Sequence, residues 1–301
     1  MHSEQPWEKL NEGFYTGNPA AYFRRRQFLL VLAATRMREL DEFLEQGISF
    51  EGIELKLEPS SDIDNETRLH QAFLVAESEI LLHHASEALI RLFLGHEGRP
   101  ACPWIECSAL REPRRFREEV DRLAANTWAP ERRREIGHVF LGAAPDEPGE
   151  EWNDAVDAVI MLLRLLSKNL NEDANMYNAV KHGMTVIPGE AYIGLSDDSG
   201  QAVLGHRGLS VAFLESTKVG KERTWRETTK WCSVPRTLWL IDLALRQMEA
   251  LWIIASARYV GKPAKGVHVI TKDAVRLATT GELASGAPVK RFSRIIGIEQ
   301  L

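Results

Sequence analysis

The fold of this chain is decided by residues 64–96, DNETRLHQAFLVAESEILLHHASEALIRLFLGH. Apolar residues recur along this stretch at steps of three and four, which is the period of an α-helix with one buried side. At this length the helix exceeds most helices of globular proteins, so we expect a spine on which other helices pack. The repeating positions include Leu69, Phe73, Ala76, Ile80, Leu81, Ala88 and Leu92.

Further stretches with the same period predict a helical bundle around this spine. The strongest is residues 151–183, where Gly183 is a natural end for a long helix. The other predicted helices span residues 20–45, 111–125, 130–141, 235–259 and 272–279.

Between the last two long helices the pattern changes to that of β-strands. Short apolar and β-branched runs follow one another over residues 191–232, with a turn at Asp197-Asp198-Ser199-Gly200. Short strands are also expected within 48–56, at 267–270 and at 291–298. The predicted fold class is therefore mainly α, a helical bundle with a small antiparallel β insertion near residues 190–232.

These patterns suggest three segments along the chain. Residues 1–63 form an N-terminal helical lead-in that begins irregularly over residues 1–19. Residues 64–260 form the bundle with its β insertion. Residues 261–301 form a basic C-terminal segment that we expect to pack on the same domain.

Composition limits the class of protein. The chain has 301 residues, 44% hydrophobic and 27% charged, as in an ordinary soluble globular protein. Its formal net charge of −6 gives no overall bias toward nucleic acid. No apolar run approaches the roughly 18 residues of a membrane span, and three cysteines cannot build a disulfide framework. We therefore expect a cytoplasmic protein that does not cross a membrane.

Polar residues on the spine helix form one candidate site. Glu77, His84, Glu87 and Arg91 share a side of the helix, which allows an acid–base site, an anion site or a buried polar network.

Metal binding on the same helix stays open. Glu79, His83 and Glu87 lie at steps of four, a spacing that metal ligands use. The chain has no CxxC or HExxH pattern and no ferritin-type Glu-x-x-His pairing, so we expect neither a metal nor a cofactor.

The second candidate site lies at the end of the helix predicted over 151–183. Asn171, Asn175, Asn178 and His182 are spaced as one polar stripe, and the segment ends Tyr177-Asn178-Ala179-Val180-Lys181-His182-Gly183. This segment resembles the closing Arg-Asn-x-x-x-His motif of the HEPN superfamily of helical ribonucleases and nucleic-acid-associated proteins. Tyr177 stands where that family has arginine. Arg91 to His96 is similar to a looser Arg-x4-His form of the same motif.

The resemblance implies metal-independent RNA cleavage, with His182 as acid–base group, Asn178 orienting and a cation stabilising the anionic transition state. That cation would come from Lys181 or Arg91. The candidate site residues are therefore His182, Asn178, Arg91, Lys181, His84 and Glu87.

Several functions remain compatible with these residues. The leading hypothesis is a metal-independent endoribonuclease, or a degenerate relative that binds RNA without cutting it. The alternatives are a non-catalytic interaction or regulatory protein, and a small-molecule enzyme, with or without a metal, whose site lies between the two central helices. The chain is also compatible with a homodimer. Residues 258–294 hold eight basic and two acidic residues, a net +6 that can track phosphate or dock on acidic surface.

Overall fold

The structure, a computed structural model, describes residues 6–58, 63–125, 128–181, 186–196, 202–219, 222–263, 266–280 and 290–300. The protein is mainly α-helical with a small antiparallel β component, as the sequence predicts. The helices are α1 (Pro6–Phe14), α2 (Pro19–Thr35), α3 (Met37–Glu45), α4 (Ile63–His96), α5 (Pro103–Ala109), α6 (Pro113–Ala124), α7 (Pro130–Ile136), α8 (Glu150–Glu172), α9 (Ala174–Lys181), α10 (Val234–Val260) and α11 (Lys272–Thr280). The strands are β1 (Ile48–Phe50), β2 (Ile53–Leu55), β3 (Val186–Ser196), β4 (Ala202–Val219), β5 (Glu222–Trp231) and β6 (Arg291–Gln300).

The chain forms two units, each assembled from segments that are distant in sequence. The helical unit comprises Met1–Arg25, Leu81–Ala174 and Trp239–Ala284. The sheet unit comprises Arg26–Ile80, Asn175–Leu238 and Ser285–Leu301. The three-segment organisation expected from the sequence stays a prediction.

The core of the helical unit is built from the apolar sides of its long helices. Phe93 of α4 stacks on Phe140, with ring centroids 5.7 Å apart, and both are fully buried. Phe140 lies in a π-helical turn, Gly137–Leu141, that ends at Gly142, whose φ of 80° suits glycine. The other large buried side chains here include Leu81, Leu89, Ile90, Leu123, Leu162, Leu163 and Leu166.

The sheet unit holds one four-stranded antiparallel sheet in the order β3-β4-β5-β6. Side chains alternate between its two faces along each strand. The inner face carries Val211 and Phe213 into an apolar core. Residues from α2, α4, α9 and α10 complete that core, namely Ala33, Leu74, Val75, Met176, Ala179, Val180 and Val234. The opposite face, which we call the outer face, carries Ala212 and Leu214 of β4 and the residues in register with them.

Two helices that the sequence predicts as continuous are broken in the structure. The helix expected over residues 20–45 ends at Thr35, whose Oγ1 donates to the carbonyl oxygen of Val31 at 2.8 Å. Such back-bonding bends helices. The helix expected over 151–183 breaks at Asp173, within a run of Asn and Asp residues of low helix propensity.

Other differences are local. Residues 6–14, expected to be irregular, form α1, and α5 was not predicted. The strand expected within 48–56 is a hairpin, because Glu51 and Gly52 take positive φ and form a two-residue turn. Residues 267–270 are not a strand, whereas the strand expected at 291–298 is confirmed as β6. The predicted turn at 197–200 lies outside the described residues.

Candidate functional site

The short helix α9 carries the segment that resembles the HEPN motif. Three buried side chains fix it in the core of the sheet unit, Met176, Ala179 and Val180. Asn178 and Lys181 lie three residues apart on its exposed side. The helix thus presents an amide and an ammonium group to solvent. His182 lies outside the described residues, so its role stays a prediction.

The polar stripe predicted at this helix end is divided between two helices. Asn171 lies on α8 in the helical unit, where its Nδ2 donates to Oδ1 of Asp121 at 2.8 Å. Asn175 lies on α9 in the sheet unit, where its Nδ2 donates to Oε2 of Glu215 at 3.1 Å. The expectation of one continuous stripe is therefore wrong, because the helix breaks between them.

Arg91, the alternative source of the missing cation, is held in the helical unit. Its Nε and Nη2 lie 2.8 and 2.7 Å from Oε1 of Glu87. Its Nη1 donates to the carbonyl oxygen of Leu110, and its guanidinium lies 3.9 Å from the centroid of the Phe116 ring. Charge-assisted and cation–π contacts fix the orientation of an arginine. The structure thus brings Arg91 and Glu87 together as a pair that ties α4 to α5 and α6.

The remaining candidates on α4 belong to different units. His83 and His84 are half-buried in the helical unit, whereas Glu79 is buried in the sheet unit. The Glu79 carboxylate accepts hydrogen bonds from Lys230 Nζ at 2.7 Å and from Thr237 Oγ1 at 3.0 Å. Burial alone would raise the pKa of Glu79, but the charge and hydrogen bonds of these partners hold it below the ordinary value. Glu79 therefore serves as half of a buried ion pair.

The looser Arg-x4-His segment of α4 ends in a buried histidine. His96 is only 3% exposed and lies among Phe14, Tyr15 and Tyr259. Its Nδ1 lies 2.6 Å from the carbonyl oxygen of Leu92, and its Nε2 lies 2.7 Å from the Tyr15 hydroxyl. Because a carbonyl only accepts, Nδ1 carries the proton and Nε2 accepts from Tyr15. Burial lowers the pKa of His96 to about 4, so its ring is neutral at pH 7.

The basic runs singled out in the sequence are largely paired with acids in the helical unit. Arg133 Nη1 lies 2.7 Å from Asp157 Oδ1, and Lys272 Nζ lies 2.5 Å from Asp154 Oδ1. A cavity of about 480 Å³ adjoins this second pair, lined by charged side chains of α8 and α11 and by residues of the segment that precedes α11. The basic residues of 258–294 are divided between the units, with Lys290, Arg291 and Arg294 in the sheet unit.

The outer face of the sheet carries aromatic and basic residues that sequence reasoning did not assign to a site. Arg223 and Trp225 lie two residues apart on β5, and Phe292 and Arg294 lie two residues apart on β6. A cation two residues from an aromatic residue on a strand places both on one face. A cation spaced two residues from an aromatic residue was therefore the sequence signal that could have identified this surface.

Two general features of the described residues bear on function. None of their helices has the length and apolar character needed to cross a membrane. Among the same residues, no three His, Cys, Asp or Glu side chains group closely enough to hold a metal ion. Comparison with protein-family models, with curated proteins and with solved structures finds no match to this chain.

Proposed function

We propose that this protein binds RNA as a degenerate relative of the HEPN-like ribonucleases and does not cut it efficiently. The observation that carries the proposal is the exposed edge of α9, where Asn178 and Lys181 stand together beside a buried anchor. Asn178 stands where the family has its asparagine. Lys181 is a cation three residues further along the same helix. An amide and an ammonium group on one helix side are suited to phosphate and sugar oxygens.

The contacts made by the candidate cations, Arg91 and Lys181, support binding without efficient cleavage. RNA cleavage passes through an anionic transition state that needs a nearby positive charge. Tyr177 supplies none, and the charge of Arg91 is already opposed by Glu87 and directed at Leu110 and Phe116. Lys181 can attract phosphate, but a lone exposed ammonium on a flexible stem does not replace a bidentate guanidinium.

A cytoplasmic location forms part of the same proposal. Cys102, Cys107 and Cys232 form no disulfide, and burial raises the pKa of Cys107 to about 12, which keeps its thiol protonated. Cysteines that form no disulfide are typical of reducing compartments, where RNA is also found.

An interaction protein is the second candidate, favoured by an exposed apolar side of α2. Phe28 and Leu29 are each about two-thirds exposed, and Leu32 lies on the same stretch. Exposed apolar clusters of this kind mark contacts with other proteins, including a second copy of the chain. An interaction protein becomes the better hypothesis only if the protein shows no affinity for RNA.

The test is a fluorescence anisotropy titration with a labelled single-stranded RNA of about 12 nucleotides, in EDTA, followed by a denaturing gel. We expect binding with intact RNA. Lys181→Ala should reduce the slope of log affinity against log salt by about 0.7, the share of one phosphate contact on a single strand. Lys168→Ala, an exposed lysine on α8, is the matched control and should leave the slope unchanged.

Two results would contradict the proposal. Absence of RNA binding at low salt would leave the interaction protein as the better hypothesis. Cleavage by the wild-type protein that His182→Ala slows about 100-fold would instead identify an active ribonuclease.

A further inference from the structure

The outer face of the four-stranded sheet exposes apolar residues in two neighbouring rows. Ile187, Ala212, Thr229 and Phe292 stand opposite one another across β3, β4, β5 and β6. Ile187 is 75% exposed and Phe292 is 43% exposed, and Leu214 in the next row is 51% exposed. The helices of the sheet unit pack on the inner face instead, through Val211 and Phe213.

Cations surround the aromatic residues of this outer face. Lys218 stands opposite Arg223 in the register of β4 and β5. The Arg223 guanidinium lies 5.8 Å from the centroid of the Trp225 ring, so the two side chains share the face. Arg294 stands opposite Glu227, and its Nε donates to Oε2 of Glu227 at 2.7 Å.

The outer face has a net positive charge, whereas the whole chain has a net negative charge. Three basic residues occupy outer-face positions of the strands, Lys218, Arg223 and Arg294. Two acidic residues share those positions, Glu227 and Glu299, the second opposite Arg223 in the register. The face is therefore net positive in a chain of net charge −6, and so it is complementary to a polyanion.

We propose that the outer face of the sheet binds single-stranded RNA, with bases stacked on Trp225 and Phe292 and phosphates contacted by Lys218 and Arg223. The inference rests on the proposed function and adds a second RNA-contacting surface, on the face of the sheet opposite to the one on which α9 packs. Aromatic residues on a sheet bind the flat faces of unpaired bases, which a duplex hides within its stack. The net positive charge of the face is complementary to the phosphate backbone, which favours RNA as the occupant.

The dimensions of the face suit a short stretch of RNA. Phe292 stands opposite Thr229, which is four residues from Trp225 along β5. Four residues of a strand span about 13 Å. Sheets that bind single-stranded RNA stack two or three bases, and two aromatic residues at this separation can engage the ends of such a stretch.

The test compares RNA affinities of variants on the two faces of one sheet. Trp225→Ala and Phe292→Ala should each weaken binding of an oligouridine of about 12 nucleotides by about 10-fold. Tyr192→Ala is the matched control, because Tyr192 is an exposed aromatic residue in register with the opposite, inner face. Its affinity should equal that of the wild-type protein.

A second pair of variants avoids any loss of folding from removing an aromatic residue. Lys218→Gln and Arg223→Gln remove a charge from an exposed and a half-buried side chain, respectively, and each should reduce the salt slope by about 0.7. Circular dichroism should show that both variants keep the wild-type spectrum.

The outcomes separate this inference from the proposed function. If the wild-type protein binds RNA and all four outer-face variants bind equally well, the inference is overturned while the proposed function stands. If the wild-type protein binds no RNA, both fall. If Phe292→Ala and Trp225→Ala abolish self-association seen by light scattering and leave RNA affinity unchanged, the face is a protein interface and the inference is overturned.

Discussion

Removal of the Tyr15 hydroxyl is expected to destabilise the protein through His96. In the folded protein this hydroxyl donates to Nε2 of a histidine that is almost completely buried. Tyr15→Phe keeps the ring and its contacts but leaves Nε2 without a donor. A buried acceptor left unsatisfied costs about 1–3 kcal/mol, so the free energy of unfolding should fall by that amount at pH 7.

The same histidine makes stability depend on pH. A folded pKa near 4, against 6.5 in the unfolded chain, corresponds to about 3 kcal/mol. Because the folded pKa is the lower one, this stability is complete above pH 6.5 and is lost as the pH falls toward 4. His96→Asn removes the titrating group, so the stability difference from the wild-type protein should shift by about 3 kcal/mol across that range.

Urea denaturation followed by tryptophan fluorescence measures both effects. Tyr22→Phe on the exposed surface and His268→Asn on an exposed loop are the matched controls, and each should stay within about 0.5 kcal/mol of the wild-type protein. A loss below about 0.5 kcal/mol for Tyr15→Phe would refute the buried hydrogen bond. A His96→Asn difference that does not change with pH would refute the neutral buried ring.

Two further predictions concern packing and charge. Glu79→Gln should lower the free energy of unfolding by about 3 kcal/mol, because the partly buried Lys230 ammonium loses the carboxylate with which it pairs. A loss below about 1 kcal/mol would contradict a pair that is shielded from water. Gly95→Ala should cost about 1–3 kcal/mol, since its new Cβ would clash with Cys107 Sγ. The cost should shrink when Cys107→Ala is combined with it, and Gly13→Ala is the uncrowded control; equal costs with and without Cys107 would contradict the clash.

Much of the helical fold could be predicted because the apolar period is sustained over many turns. The bounds of α4, Ile63–His96, differ by one residue from those predicted. The break at Asp173 could not be seen in the same way, since apolar residues continue at helical spacing on both sides of it.

The pairing of β6 depends on long-range register. The tendency of β6 to form a strand follows from its own sequence. Its pairing with β5 joins residues about 70 positions apart, such as Arg226 and Ile295. The sequence therefore predicts the strand without its neighbour, and the rows of the outer face cannot be drawn from pattern alone.

The sequence could predict which residues carry the candidate site, but not which residues from other segments surround them. Arg91 and Glu87 are one helical turn apart, so their pairing follows from spacing. Leu110 and Phe116, which complete the contacts of Arg91, come from a segment whose approach to α4 is tertiary. Likewise, nothing local to His96 indicates that Tyr15 lies against it.

The most direct test of RNA binding without cleavage is photo-cross-linking of a single-stranded RNA that contains 4-thiouridine, with the adducts mapped by mass spectrometry. We predict full-length RNA attached to β5 and β6 peptides that contain Trp225 or Phe292, and to the α9 peptide that contains Lys181. Adducts confined to the helical unit, cleaved RNA, or no adduct above that of heat-denatured protein would contradict the account.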